Sequence, residues 1–120
     1  LIVQKNLQHI AASWLMVVRL KGFVFFASAH AVAHYVRHRL EADKAECLPA
    51  YRRLKYVVFD CELLDGMDAS GAKTMLKLVK DCAAVDVKVF WSSMSPDFVE
   101  ELITRSIIRS DQDWFLDLNL

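Results

Sequence analysis

The fold is decided by the stretch Lys55–Cys61 (KYVVFDC), which is followed after a short turn by Asp68–Gly71 (DASG). Its first part has a continuous apolar middle, which is typical of a strand covered on both faces of a sheet. Residues Ser70–Ala84 then place apolar side chains at helical spacing, with lysines mainly on the other side. A strand followed directly by a helix predicts a crossover unit, in which the next strand runs parallel to the first.

The alternation of strand and helix continues toward the carboxyl terminus. Val87–Trp91 (VKVFW) predicts another strand, and we expect this run and Lys55–Cys61 to supply inner strands of the sheet. Ser95 and Pro96 predict the start of a helix that extends to about Arg105, because Ser is favoured at the N-cap and Pro at the first helical position. Trp114–Leu120 (WFLDLNL) predicts the opening of a last helix.

Toward the amino terminus, two apolar runs flank a glycine. Trp14–Leu20 and Phe23–Phe26 predict either two antiparallel strands or one strand bent at a bulge near Gly22. Ser28–Ala42 follows as an amphipathic helix, with Ser28 as its predicted N-cap. We therefore predict an α/β domain with a mixed sheet, in the order β-β-α-β-α-β-α, and with the helices packed mainly on one face.

Length and composition indicate one domain. A chain of 120 residues that is 55% hydrophobic can bury a sizeable core. We assign residues 1–120 to a single domain, with 1–13 as a lead-in segment and 14–120 as the core. Fifteen basic and fifteen acidic side chains cancel, which argues against a nucleic-acid partner. Because the chain starts at Leu1 without Met and stops at Leu120 inside an unfinished pattern, we interpret it as part of a longer protein.

Two groups of side chains have residue types that can carry chemistry. His30, His34 and His38 recur at four-residue spacing, but they face away from the apolar stripe of their helix, and we predict no metal site there. The acidic run Asp60, Glu62, Asp65 and Asp68 lies near the end of a strand, where carboxylates can bind magnesium or transfer protons. Turn formation and helix capping explain the same carboxylates. We predict no catalytic residue and no cofactor, and retain a small-ligand enzyme as an alternative class.

Ser70 is the most informative single side chain. It lies at a predicted strand-to-helix junction, where its hydroxyl can accept a hydrogen bond from the N–H of Ala72 or Lys73 and cap the helix. The same position suits a phosphate group, because the N-terminus of a helix favours anions. The residues themselves favour the cap.

The order of these motifs resembles the STAS domain, the domain of sulphate transporters and anti-sigma factor antagonists, over about Trp14–Leu120. The strand KYVVFDC, the turn and the DASG motif carry the resemblance. Leu20–Ala29 (LKGFVFFASA) is similar to the L-x-G-x-L-F-F-G-S-A run of STAS domains attached to SulP anion transporters, with Ala27 in place of the usual Gly. The late FLDLNL is similar to the family's F-x-x-L-D-x-A-L, from which Asn119 departs.

The resemblance implies a non-enzymatic regulatory domain on the cytoplasmic face of a membrane, as part of a secondary transporter of sulphate, bicarbonate or a related anion. Its implied partners are the transmembrane domain of the same transporter, a second copy in a homodimer, and a cytosolic regulatory protein. In the anti-anti-sigma branch, a partner kinase phosphorylates the serine that matches Ser70. The alternative function is therefore a phospho-switch at Ser70, with Asp65, Asp68 and Gly71 as neighbours in its loop.

Overall fold

The computed structural model describes residues 14–49 and 52–107, together with the backbone of 114–115. Strands and helices alternate along the chain. They are β1 (Leu15–Val24), α1 (Phe26–Ala45), β2 (Tyr56–Met67), α2 (Ala69–Ala84), β3 (Lys88–Ser92), α3 (Pro96–Thr104) and β4 (Trp114–Phe115). The α/β class and the alternation of strand and helix are as predicted, while the predicted lead-in segment 1–13 lies outside the described residues.

The four strands form one sheet in the order β1-β2-β3-β4, and each neighbouring pair is parallel. Val58 of β2 lies between Val17 of β1 and Phe90 of β3 in the register. The runs predicted as inner strands are therefore β2 and β3. Each helix connects two adjacent parallel strands, which is the geometry of a crossover unit.

The opening segment forms one bent strand. The prediction of two antiparallel strands at Trp14–Leu20 and Phe23–Phe26 is wrong, so this pair does not make the sheet mixed. Every strand pair among the described residues is parallel. The bent-strand alternative is confirmed. Its register against β2 shifts between Arg19 and Lys21 and again next to Gly22, whose φ of 84° suits a glycine.

Helix α1 begins earlier than its sequence suggests. Phe25 is the N-cap and Phe26 the first helical residue, so Ser28 is not the N-cap. Ser28 is instead the third residue of the helix, and its Oγ accepts a hydrogen bond from the N–H of Phe25 at 2.9 Å. In this bond the side chain of the third helical residue satisfies the backbone N–H of the N-cap residue, as in one half of a capping box.

The carboxyl-terminal prediction is also corrected. Trp114–Phe115 form strand β4 and pair in parallel with Trp91 and Ser92, so the predicted last helix does not open at Trp114. The remainder of that prediction, residues 116–120, lies outside the described residues. A two-residue strand is held by its neighbour in the sheet, and its sequence pattern is too short to distinguish it from a helix start.

The core lies on one face of the sheet. Alternate strand residues enter it together with buried side chains from α1, α2 and α3, so the described helices cover the same face, as predicted. The strand members are Met16, Val18, Leu20, Val24, Val57, Phe59, Cys61, Met67, Val89 and Trp91. The rings of Phe59 and Trp91 lie 4.8 Å apart between centroids, as neighbours on β2 and β3. Among the helices of the described residues, none combines the length and apolar character needed to cross a bilayer.

Candidate functional site

The Ser70 loop lies at the carboxyl ends of β1 and β2. Asp68 is the N-cap of α2, in an extended conformation with φ −85° and ψ 176°. Its Oδ1 accepts a hydrogen bond from the N–H of Gly71 at 2.7 Å, and its own N–H donates to the Val24 carbonyl at 3.0 Å. The carboxylate therefore caps the helix while the backbone ties the loop to the end of β1.

The prediction that Ser70 caps α2 is wrong. Ser70 is the second residue of the helix and is exposed. A side chain that reaches the third amide of a helix must start from the N-cap position, and Asp68 occupies that position. The Ser70 hydroxyl is consequently left at the surface, one residue inside the first turn.

Gly71 is buried where α2 meets β1. A Cβ atom at this position would lie 2.7 Å from the Val24 carbonyl oxygen, which is closer than real Cβ contacts come. The absence of a side chain therefore permits the helix start to pack directly against the strand. Sequence reasoning named Gly71 as a neighbour of Ser70, and the structure shows that the glycine positions the whole loop.

The carboxylates of the acidic run are divided between two environments. Asp60 is 1% exposed; its Oδ2 accepts a hydrogen bond from the Arg19 Nε at 3.2 Å, and its Oδ1 accepts one from the N–H of Glu62 at 3.1 Å. Asp65 is exposed and falls at a register shift of β2, between the residues that pair with Gly22 and Phe23. Asp60 thus holds two strands together, while Asp65 stands in solvent beside the Ser70 loop.

The three histidines of α1 are all exposed. His34 and His38 lie 6.4 Å apart between ring centroids, and His30 stacks on Phe26 at 6.0 Å. Across the part of the chain that the structure describes, no three His, Cys, Asp or Glu side chains are grouped so that they could hold a metal ion.

Burial raises the pKa of two thiols. Burial raises the pKa of Cys82 to about 11. It raises the pKa of Cys61 further, and there the neighbouring Asp60 carboxylate adds to the increase. Both side chains are therefore neutral thiols at neutral pH, which is the unreactive form. Cys47, after α1, is exposed.

An apolar surface beside the Ser70 loop was not recognised from the sequence. We name it the Phe patch, and its members and exposed fractions are Phe23 (48%), Phe25 (46%), Phe26 (61%) and Leu63 (44%). The run Phe23–Phe26 is apolar throughout, so its composition does not show which of its side chains face solvent. The available signal was the alternation of β1, which places Phe23 on the face opposite Val24 and the core.

Comparison with known protein families matches residues 4–117 to the STAS domain. Comparison with curated protein sequences finds no match. Among solved structures, the SulP transporter STAS domain from Vibrio cholerae is similar at 17% identity and a TM-score of 0.66, over 88% of this chain and 75% of that one. The anti-sigma factor antagonist SpoIIAA, in its unphosphorylated form, is similar at 16% identity and a TM-score of 0.64, over 97% and 86%.

A complete membrane transporter also contains this fold. The murine anion transporter Slc26a9, in its inward-facing state, is similar at 13% identity and a TM-score of 0.58. The match covers 88% of this chain and 17% of the transporter. Likenesses at these identities establish the fold, which is common to domains attached to transporters and to an anti-sigma factor antagonist.

Proposed function

Because the chain belongs to the STAS domain family, we propose that it is the regulatory and interaction domain of a SulP-type anion transporter. In this role it lies at the cytoplasmic face of the membrane, attached to the transmembrane domain that conducts sulphate, bicarbonate or a related anion. The domain itself neither conducts ions nor catalyses a reaction. It acts in assembly, trafficking or regulation of transport.

One observation carries this proposal. The run Leu20–Ala29, which is similar to the corresponding run of SulP-attached STAS domains, contains the three exposed phenylalanines of the Phe patch. Large apolar side chains that remain at the surface of a folded domain mark interaction sites. The part of the sequence that resembles transporter domains is thus also the part that presents apolar surface to a partner.

The experiment is transport by the full-length protein. Uptake of labelled sulphate and of bicarbonate is measured in cells that express either the complete reading frame or a version that lacks residues 14–120, with membrane abundance quantified in parallel. We expect the deletion to reduce uptake, abundance, or both. A reading frame without membrane spans, or a deletion that leaves uptake and abundance unchanged, would contradict the proposal.

A second candidate function rests on the exposure of Ser70 at the start of α2. We propose for this alternative that a partner kinase phosphorylates Ser70 and thereby changes binding at the loop formed by Asp65, Asp68 and Gly71. The helix N-terminus favours the added negative charge, whereas Asp68 opposes it by like-charge repulsion. A net change in stability close to zero is expected, so the effect of phosphate is on binding.

This alternative is tested by partner capture with the parent, Ser70→Ala and Ser70→Asp proteins, together with mass spectrometry of Ser70 in the natural host. A phosphate at Ser70 and a different set of captured proteins for Ser70→Asp are expected. Unmodified Ser70, or equal capture by all three proteins, would count against the switch.

A further inference from the structure

The members of the Phe patch belong to segments at the carboxyl end of the sheet. Phe23 lies on the β1 face that points away from the helices, and its ring covers Gly66 of β2, whose Cβ position is 3.1 Å from the Phe23 Cε2. Leu63 is on the same face, since it pairs with Lys21, two residues before Phe23. Phe25 and Phe26 follow at the start of α1. Four large, exposed apolar side chains therefore lie on the segments at this end of the sheet, on β1, on β2 and at the start of α1.

The size of the patch favours a short peptide over a second copy of the chain. An aromatic side chain has about 150–250 Å² to bury, so four side chains that are roughly half exposed offer about 400 Å². A stable interface between two proteins buries about 800 Å² on each side. The patch by itself is too small for a stable dimer, but it is sufficient to anchor several apolar side chains of an extended or helical segment.

The charges around the patch determine which segment fits it. Glu62 precedes Leu63 in the chain, Asp65 precedes the Gly66 that Phe23 covers, and Asp68 follows at the N-cap of α2. Lys21 lies beside Leu63 and offsets part of this negative charge. Because carboxylates outnumber the lysine, a partner with basic side chains is attracted, and an anionic lipid surface is repelled.

We propose that the Phe patch binds a short segment of a protein partner in which apolar side chains are flanked by Lys or Arg. Segments of this composition occur at the cytoplasmic ends of membrane helices, where Lys and Arg are in excess. In that setting the inference deepens the proposed function and rests on it, because it assigns the surface by which the domain contacts a membrane module. The binding property itself belongs to the patch.

The test uses two synthetic peptides with the same apolar centre, one flanked by Lys and Arg and the other by Glu. Each is titrated into the isotopically labelled 120-residue chain, and backbone amide shifts are followed by NMR. We expect the basic peptide to bind at least tenfold more tightly, with shifts concentrated at the patch and the Ser70 loop. No binding, equal binding of both peptides, or shifts elsewhere would overturn the proposal.

Matched variants identify the surface. Phe26→Ser removes the most exposed side chain of the patch, and Val85→Ser removes one that is 53% exposed at the end of α2, away from the patch. We expect Phe26→Ser to weaken the basic peptide at least tenfold and Val85→Ser to have no effect. Asp65→Lys should weaken the basic peptide and strengthen the acidic one. Equal effects of Phe26→Ser and Val85→Ser, or no effect of Asp65→Lys, would overturn the proposal, and circular dichroism verifies that each variant folds.

Two further measurements exclude other occupants. Vesicles with one fifth phosphatidylserine should not sediment the chain, and sedimentation that Phe26→Ser abolishes would overturn the peptide proposal in favour of a membrane. A concentration-dependent dimer that Phe26→Ser abolishes would overturn it in favour of a second copy. The transport experiment remains separate: if deletion reduces uptake while neither peptide binds, the patch proposal fails and the proposed function stands.

Discussion

The two ends of the sheet differ in which side chains they bury and which they expose. At the amino end of β2, Asp43 is buried; its Oδ2 accepts a hydrogen bond from the N–H of Leu54, and its Oδ1 accepts one from the Arg39 Nε, both at 2.8 Å. At the carboxyl end, the Phe patch and Ser70 are exposed. Buried polar contacts of the first kind stabilise the fold, whereas apolar surface of the second kind contributes free energy only when a partner covers it. We call the amino end of β2 the structural end, and the carboxyl end, where we propose binding, the binding end.

The largest effect is expected at the structural end. Asp43→Ala removes the acceptor of the buried Leu54 N–H, and an unsatisfied buried donor costs about 1–3 kcal/mol in addition to the lost ion pair with Arg39. We expect a loss of about 3 kcal/mol, measured by urea unfolding. The control is Asp65→Ala at the binding end, whose exposed side chain should change stability by less than about 0.5 kcal/mol. Equal losses in the two variants would remove the distinction between the ends.

The next effect tests how the binding end is held in place. Gly71→Ala brings a Cβ to 2.7 Å from the Val24 backbone oxygen, so strand and helix must separate. Overpacking costs about 1–3 kcal/mol, and the higher helix propensity of Ala offsets part of it, so we expect a net loss of about 1–2 kcal/mol.

The matched control for this variant is Gly66→Ala. There the new Cβ meets only the ring of Phe23, which is half exposed and able to move. Thermal unfolding should show a smaller loss for Gly66→Ala than for Gly71→Ala. The opposite order would show that the contact of α2 with β1 is loose.

A smaller effect distinguishes the cap from the switch position. Asp68→Ala removes the bond to the Gly71 N–H and should cost about 1 kcal/mol, the usual effect of losing an N-cap. Ser70 is the second residue of α2 and is exposed, so Ser70→Ala should change the free energy of unfolding by only a few tenths of a kcal/mol. Both variants are compared by chemical denaturation. A loss in Ser70→Ala as large as that in Asp68→Ala would show that the serine hydroxyl contributes to the cap.

The thiols provide a probe of burial that needs no substitution. Cys47 is exposed, whereas Cys61 and Cys82 are buried with raised pKa values, so a thiol reagent at neutral pH should modify Cys47 rapidly. The other two should react only at the rate at which the domain opens. Mass spectrometry of peptides after timed labelling measures each rate. Rapid modification of Cys61 would show that the middle of β2 is accessible.

A separate effect, absent at neutral pH, is a dependence of stability on alkaline pH. The pKa of Cys82 is raised from 9.0 to about 11 in the folded chain, so its neutral form contributes fully below pH 9. Between pH 9 and 11 the unfolded thiol ionises while the folded one does not, and stability is lost as the pH rises. Urea unfolding at pH 8 and pH 10.5 should show a steeper loss for the parent than for Cys82→Ala. Identical slopes would contradict a buried, neutral thiol.

The elements in the middle of the chain were predictable because their signals are local. The apolar run Lys55–Cys61 marks β2, and the pair Ser95-Pro96 marks the start of α3, where the Ser95 Oγ accepts a hydrogen bond from the N–H of Phe98 at 3.2 Å. Pro96 contributes a fixed φ and lacks an N–H, so it indicates the first helical residue without reference to the rest of the fold.

The other two helix starts were misplaced for a common reason. Ser28 and Ser70 both have the residue type of an N-cap, yet each lies inside its helix, which begins at Phe26 and Ala69 respectively. Helix α1 directly follows β1, which ends at Val24, and at the start of α2 the Asp68 N–H donates a hydrogen bond to the Val24 carbonyl. Both helices therefore begin next to the same end of β1. Residue propensity does not predict these helix starts. At α2, for example, the contacts with Val24 come from Asp68 and Gly71, which lie more than forty positions further along the chain.

The sequence by itself determined the alternation of strands and helices, the inner position of β2 and β3, and the resemblance to the STAS family, because periodicity and short motifs depend on residues close together in the chain. Only the tertiary structure decided that residues 15–24 form one strand parallel to β2, that Asp68 caps α2, and that the phenylalanines around α1 remain exposed. Each of these outcomes depends on the register of β1 against β2, where Arg19 lies beside Asp60, forty-one residues further along the chain. Strand pairing over such a separation is set by which side chains the folded core can bury, and a linear pattern does not report it.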